Sequence, residues 1–159
     1  MNEEATVERV LKGMKESHWI HLACHGQQRI DDPMKSGFLL HGGNILTLSE
    51  IVRKTLPKAD FAFLSACQTA MGDEKVAEES VHLAAGMLLS GCRGVIATMW
   101  SIQDDDAPKV AEDVYRRILK DGQPNRKGAA LALHEATKRL RKEAGADFIS
   151  WVPFIHIGR

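Results

Sequence analysis

Two side chains in this sequence have the chemistry and the surroundings of a nucleophile and its proton acceptor. His25 follows a short apolar segment and precedes Gly26, and Cys67 follows a second apolar segment. A thiol attacks a carbonyl carbon only as the thiolate, and a nearby imidazole takes its proton or stabilises its charge. The two residues are far apart in the chain, so only the fold can bring them together. If the fold does so, the pair predicts a cysteine nucleophile assisted by a histidine.

The residues around this pair suit the same chemistry. Gly26 lets the backbone approach a substrate carbonyl closely, and its N–H is a candidate donor to an oxyanion. The N–H of Cys67 is the natural second donor. Each residue taken alone also has a simpler interpretation, because an isolated cysteine in an apolar segment is usually a small core residue. Cys24 and Cys92 fit that simpler interpretation.

A run of three aspartates, at residues 104–106, allows two interpretations. Aspartate favours the first turn of a helix, where it caps free N–H groups and suits the positive end of the helix dipole. Alternatively, one carboxylate binds a basic side chain of a substrate, and an arginine–carboxylate pair can be bidentate and therefore selective. Asp104 is the first candidate for that role because it lies nearest to the preceding apolar segment. Asp73 is the competing candidate, since it follows Cys67 in the chain.

Apolar segments alternate with segments of helical periodicity, and this alternation predicts the elements that must position these side chains. The fold expected from it is α/β, with a mainly parallel sheet flanked by helices. Strands are predicted at residues 19–24, 61–66, 94–100 and 154–157, a small hairpin at 38–48, and helices at 5–15, 76–89, 107–120 and 127–142.

The predicted sheet gives the candidate residues a common location. In open parallel sheets, binding sites form beyond the C-terminal ends of the strands. The first predicted strand ends at residues 24–26, the second leads into 67–69, and the third leads into 101–106. We therefore expect the imidazole, the thiol and the carboxylates at one edge of the sheet.

The composition is that of one globular domain with no net charge. The chain has 159 residues, of which 44% are hydrophobic, and it carries 21 basic and 21 acidic side chains. This balance excludes a nucleic-acid binder that works through a basic field. No apolar segment approaches the roughly 20 residues that span a bilayer, and the N-terminal residues lack the features of a secretion signal. Three cysteines indicate a reducing compartment rather than a disulfide framework. We expect a cytoplasmic domain that binds neither membranes nor nucleic acid.

A metal site at His21, Cys24 and His25 is disfavoured. On a strand, His21 and Cys24 face opposite sides of the sheet, so they are badly placed to bind one ion together. We therefore expect no metal.

Several segments of the chain, in order, resemble the CHAT domain, a caspase-like family related to separase and commonly found C-terminal to TPR repeats. The matching segments are residues 21–26 (HLACHG), 64–70 (LSACQTA), 79–88 (ESVHLAAGML), 94–100 (GVIATMW) and 151–158 (WVPFIHIG). The resemblance implies a cysteine peptidase of the caspase type with His25 and Cys67 as its dyad, without a metal or an organic cofactor. Similarity to separase also implies that the substrate carries a basic residue at P1. Asp104 is the first candidate for the residue that binds this side chain.

The resemblance covers residues 1–159 as a single domain, which is shorter than the family domain. We expect the chain to be the C-terminal catalytic portion of a CHAT domain, completed by an N-terminal or TPR region in cis or in trans. Its expected partner is a protein or peptide substrate. Two alternatives remain: a non-catalytic interaction or effector module of a TPR-containing signalling or immunity protein, and another α/β thiol hydrolase or acyltransferase that uses the same dyad.

Overall fold

The structure is a computed structural model that describes residues 5–27, 29, 31–68, 77–100, 102–120, 122–143 and 147–158, with the backbone alone at 66–68 and 77–82. Its described strands form one six-stranded sheet. They are β1 Trp19–Gln27, β2 Gly37–Leu39, β3 Ile45–Thr47, β4 Phe61–Gln68, β5 Gly94–Thr98 and β6 Phe154–Gly158. In space their order is β3-β2-β1-β4-β5-β6, so the two strands that contain the candidate dyad lie side by side near the centre.

The helices cover both faces of this sheet. They are α1 Val7–Glu16, α2 Leu48–Val52, α3 Ala77–Leu89, α4 Asp106–Ile118, α5 Ala129–Glu143 and α6 Phe148–Trp151. The short α2 begins with a capping box, in which Thr47 and Glu50 satisfy each other's backbone N–H groups. The C-terminal end of α3 is followed by Gly91. Gly91 has a φ of 108°, a value that favours glycine.

Two hydrophobic clusters show that the sheet is the middle layer of three. On one face, Leu64 and Val95 pack with α1, α2 and α3. On the other face, Phe61 and Phe63 pack with α4 and α5. Successive residues of a strand face opposite sides, so β4 supplies both clusters at once. The described first five residues of β4 are all buried, which explains why they read as a continuous apolar segment.

The α/β class and the flanking helices are confirmed, but the prediction of a mainly parallel sheet was wrong. The pairs β1–β4 and β4–β5 are parallel. The pairs β1–β2, β2–β3 and β5–β6 are antiparallel. The sheet is therefore mixed, with a parallel centre and antiparallel edges. This architecture is consistent with a caspase-like fold.

Candidate active site

The backbone of the sheet pairs the two residues of the candidate dyad. In the parallel ladder between β1 and β4, His25 is in register with Cys67, and Gly26 is in register with Gln68. Gly26–Gln68 is the last pair of that ladder, so the dyad positions lie at its C-terminal end, where the sequence places them. The side chain of Cys67 lies outside the described part of the structure.

A cleft of about 470 Å³ opens on the face of the sheet that carries α4. Its walls come from β1, from β4 and from the N-terminal half of α4 with the residues before it. The lining includes His21, His25, Ser65, Asp104, Ala107 and Ala111. The cleft therefore brings His25 and Asp104 together, as the strand-end argument predicts.

His25 and Gly26 differ sharply in their exposure. The imidazole of His25 is exposed, whereas Gly26 is buried. Both lie between two strands, because His25 also pairs with Leu39 of β2, and Gly26 also pairs with Phe38. The short hairpin β2–β3 thus supports the outer side of β1 only near its C-terminal end.

A second histidine faces the same cleft and was not predicted to belong to it. Nε2 of His21 lies 3.0 Å from Oγ of Ser65, within hydrogen-bonding distance. The His21 ring also packs on Phe63 and Tyr115, with ring centroids 5.1 and 5.6 Å away. His21 is exposed to the cleft, and partial burial of its ring against these aromatic groups lowers its pKa below 6.5. The signal that identifies His21 is strand alternation, since it shares a face with Ala23 and His25.

Cys24 is adjacent to His25 in the sequence, but its environment differs from that of a reactive thiol. Its side chain is half-buried and packs against the hydrophobic cluster on the opposite face. Burial raises the pKa of the Cys24 thiol to about 11, so this thiol stays protonated at neutral pH. Cys92 is buried, and burial raises its pKa as well. Both residues therefore have the core role that the sequence suggests.

The three aspartates before α4 occupy three different environments. Asp104 is exposed and lines the cleft. Asp105 is the N-cap residue of α4, although its side chain makes no capping hydrogen bond. Asp106 is buried in the first turn, with Oδ1 3.5 Å from Nζ of Lys109. The helix-start interpretation thus holds for Asp105 and Asp106, and the cleft interpretation fits the position of Asp104. Asp73, the competing candidate, lies outside the described residues.

Metal-ligating side chains do not converge anywhere in the described part of the chain: no group of three or more histidines, cysteines or carboxylates there could hold a metal ion. Among the described helices, none is both long and apolar enough to cross a membrane.

These features define an α/β domain with a histidine and a cysteine paired in register at the C-terminal end of two parallel strands. The CHAT domain model matches residues 1–159, and the chain belongs to the CHAT domain family. This family is peptidase-related. No curated protein matches the sequence.

Proposed function

We propose that this chain is a caspase-like cysteine endopeptidase that cleaves a protein substrate through His25 and Cys67. The observation that carries the proposal is the backbone register of these two residues, of which His25 lines the cleft. Parallel strands in register keep paired residues close, so an imidazole and a thiol at these positions come within reach of each other. The family adds support, because it is peptidase-related.

The reaction uses the two side chains in two steps. His25 takes the proton of the Cys67 thiol, and the thiolate attacks the scissile carbonyl carbon. The tetrahedral intermediate collapses, the C–N bond breaks, and the leaving amine takes the proton from His25. Water then attacks the thioester carbonyl and gives its proton to the imidazole. The carboxylic acid product leaves, and the proton returns to the sulfur.

The oxyanion of each tetrahedral intermediate is assigned to the backbone. The N–H groups of Gly26 and Cys67 are the proposed donors, as oxyanion stabilisation requires donors that are already fixed in place. Both residues belong to the sheet at the point where the β1–β4 ladder ends. A position at the end of a rigid ladder supports this assignment.

Asp104 is the proposed contact for a basic P1 side chain. It is exposed, lies in the same cleft as His25, and is the one carboxylate among the described residues that line the cleft. A single carboxylate in a cleft with small apolar walls favours an arginine or lysine over an acidic or neutral polar side chain.

A mechanism-based label tests the proposal. The protein is treated with an acyloxymethyl-ketone peptide that carries arginine at P1, and the adduct is located by peptide mass mapping. We expect one adduct, on Cys67, that is lost in Cys67→Ala and strongly slowed in His25→Ala. Cys24→Ala is the matched control because Cys24 is next to His25 in the sequence, but its thiol packs on the opposite face of the sheet and stays protonated. The label on Cys67 is expected to persist in this variant.

Three outcomes would favour the alternatives. If the ketone peptide labels a full-length CHAT peptidase but does not label this chain under the same conditions, the interaction or effector module is favoured instead. Partner capture that is equal for wild type and Cys67→Ala would give that alternative positive support. Labelling of Cys67 by simple acyl thioesters but not by peptides would favour an acyltransferase.

A further inference from the structure

A hydrogen-bonded polar pair forms part of the cleft wall beyond the dyad. Nε2 of His21 and Oγ of Ser65 are 3.0 Å apart, and both residues line the cleft that contains His25 and Asp104. The mechanism above assigns no task to either side chain. Ser65 is 8% exposed, and a buried hydroxyl with a defined partner is a fixed feature of the site.

The surroundings of His21 favour a neutral imidazole. Its ring packs on Phe63 of β4 and on Tyr115 of α4. The titratable groups whose side chains face the same cleft are Asp104 before α4 and His25 on β1, while the side chain of Cys24 packs on the opposite face of the sheet. Burial lowers the pKa of His21, raises that of Cys24 to about 11 and raises that of Tyr115 to about 12. All three groups are therefore uncharged at neutral pH.

A neutral imidazole has one nitrogen that donates and one that accepts. When Nε2–H donates to Oγ of Ser65, Nδ1 is left as an acceptor. The rest of the wall is built from small apolar groups, which leave room for the aliphatic stem of a long side chain. These groups are Ala23, Ala107, Pro108 and Ala111.

Building on the proposed function, we infer that His21 and Ser65 are specificity-determining residues for a basic P1 side chain. The small apolar groups hold the stem of the P1 residue, and Asp104 makes the ionic contact with its charged head. Nδ1 of His21 accepts a further hydrogen bond from that head, and Ser65 fixes the ring in the tautomer that makes this possible. The pair acts on the choice of substrate and takes no part in the proton transfers of the dyad.

Because His21 is titratable, the preference for arginine at P1 is expected to depend on pH. A protonated His21 presents a second positive charge to an arginine side chain and loses its acceptor. The preference for arginine over a neutral P1 residue therefore falls as the pH drops below 6.5. The titration of the dyad affects both substrates alike, so it cancels in the ratio of their kcat/KM values.

The experiment compares two peptides that differ only in carrying arginine or methionine at P1. Wild type, His21→Gln, Ser65→Ala and the control His18→Gln are measured from pH 7.5 to 5.5. His18 is an exposed histidine just before β1 and is not among the residues that line the cleft. We expect the arginine-to-methionine ratio to fall about 10- to 100-fold in His21→Gln and Ser65→Ala at pH 7.5, since a hydrogen bond to a charged group contributes about 1.5–3 kcal/mol.

We further expect the acid-side loss of the ratio to be smaller in His21→Gln than in wild type and His18→Gln. Asp104 is present in all of these proteins, so its own titration does not distinguish them. Unchanged ratios and unchanged pH dependence in both cleft variants would overturn the inference, even with Cys67 fully active.

A binding measurement keeps the inference testable if the chain does not cleave peptides. Agmatine, a guanidinium on a four-carbon stem, is titrated into Cys67→Ala. Its affinity is measured by calorimetry, and the imidazole resonances of His21 are followed by NMR. We expect these resonances to shift and the affinity to drop about 10-fold or more when His21→Gln is added. Agmatine binding without labelling of Cys67 would reject the peptidase and keep the cleft assignment. If Cys67 is labelled but agmatine binds equally well with and without His21→Gln, the peptidase is kept and the cleft assignment is rejected.

Discussion

Asp104 and His25 reach the same cleft from different elements of the fold. His25 is an exposed residue near the C-terminal end of β1, and Asp104 is an exposed residue just before α4. The chain between them contributes most of the sheet. Because the two residues belong to different elements, each can be replaced without the other. The contact to the substrate side chain and the proton acceptor of the dyad can therefore be tested separately.

Replacing Asp104 tests the P1 contact. Because the carboxylate is exposed, Asp104→Asn should change the melting temperature by no more than about 1 °C, while kcat/KM for arginine at P1 falls about 10- to 100-fold. Cleavage of peptide series with arginine and with methionine at P1 measures this. The same selective loss in Asp73→Asn, with Asp104→Asn unaffected, would move the P1 contact to Asp73.

Replacing His25 tests the dyad. We expect His25→Ala to slow peptide cleavage by about 100-fold or more, which is the usual contribution of general acid–base catalysis. The free energy of unfolding should change by less than about 0.5 kcal/mol, because the side chain is exposed. His18→Ala is the matched surface control. Equal rates for the two variants would remove His25 from the mechanism.

Two arginines that share one carboxylate offer an internally controlled test of stability. Nε of Arg126 lies 2.9 Å from Oδ1 of Asp60 and its side chain is 14% exposed, whereas Arg93 is 3.6 Å away and 67% exposed. Arg126→Met should lower the free energy of unfolding by about 1–3 kcal/mol, and Arg93→Met by less than about 0.5 kcal/mol. Urea denaturation measures both. A larger loss in Arg93→Met would contradict this ranking.

Two glycines give opposite predictions for the same substitution. A Cβ at Gly37 in β2 would collide with the carbonyl oxygen of Leu46, while a Cβ at Gly13 in α1 would meet nothing within 4 Å. Gly37→Ala should therefore destabilise the fold by about 2 kcal/mol or more. Gly13→Ala should stabilise it by about 0.5–1 kcal/mol, because alanine favours the helix interior. Thermal unfolding of the two variants decides the matter.

The folded protein should lose stability on mild acidification. Burial lowers the pKa of His156, and the nearby Arg126 lowers it further, while Nε2 of His156 is buried without a hydrogen-bond partner among the described residues. The pKa of His21 is lowered too. Below pH 6.5 the unfolded chain therefore binds more protons than the folded chain, so stability falls as the pH drops through this window.

The measurement is the melting temperature of wild type and His156→Gln at pH 7.5 and 5.5. We expect a smaller acid-induced drop in the variant, because one proton-binding difference is gone. The carboxylates are common to both proteins and cancel in the comparison. An identical drop in the two proteins would exclude His156 as a contributor.

The sequence predicts the centre of this fold better than its edges. The apolar segments of β4 and β5 are recognisable because both of their faces are buried, whereas β1 is exposed on the face that carries His21 and His25. The C-terminal end of β1 and the segment that follows β5 bring His25 and Asp104 to one cleft, as the strand order along the sequence predicts. An apolar segment does not reveal its direction in the sheet, however. The hairpin predicted at residues 38–48 corresponds to the antiparallel pair β2–β3. The antiparallel pairings of β2 with β1 and of β6 with β5 depend on the path of the connections, which local patterns do not encode.

The contents of the cleft were predicted only in part, for a similar physical reason. Alternation along β1 places His21 on the face of His25, but its hydrogen bond to Ser65 depends on diagonal neighbours. In the ladder, His21 is in register with Phe63, and Ser65 is in register with Ala23. Local patterns do not encode such a contact between strands, nor the packing of Tyr115 from α4 on the same ring.

The two neighbours of β1 support the proposed catalytic histidine unequally. β1 is paired with β4 from Trp19 to Gly26, but it meets β2 only from His25 to Gln27. A displacement of the outer strand β3 therefore reaches the backbone of His25 through a single intervening strand, whereas a displacement of β6 must pass through β5 and β4 first. The imidazole is thus coupled most directly to one margin of the sheet, the margin at Ile45–Thr47.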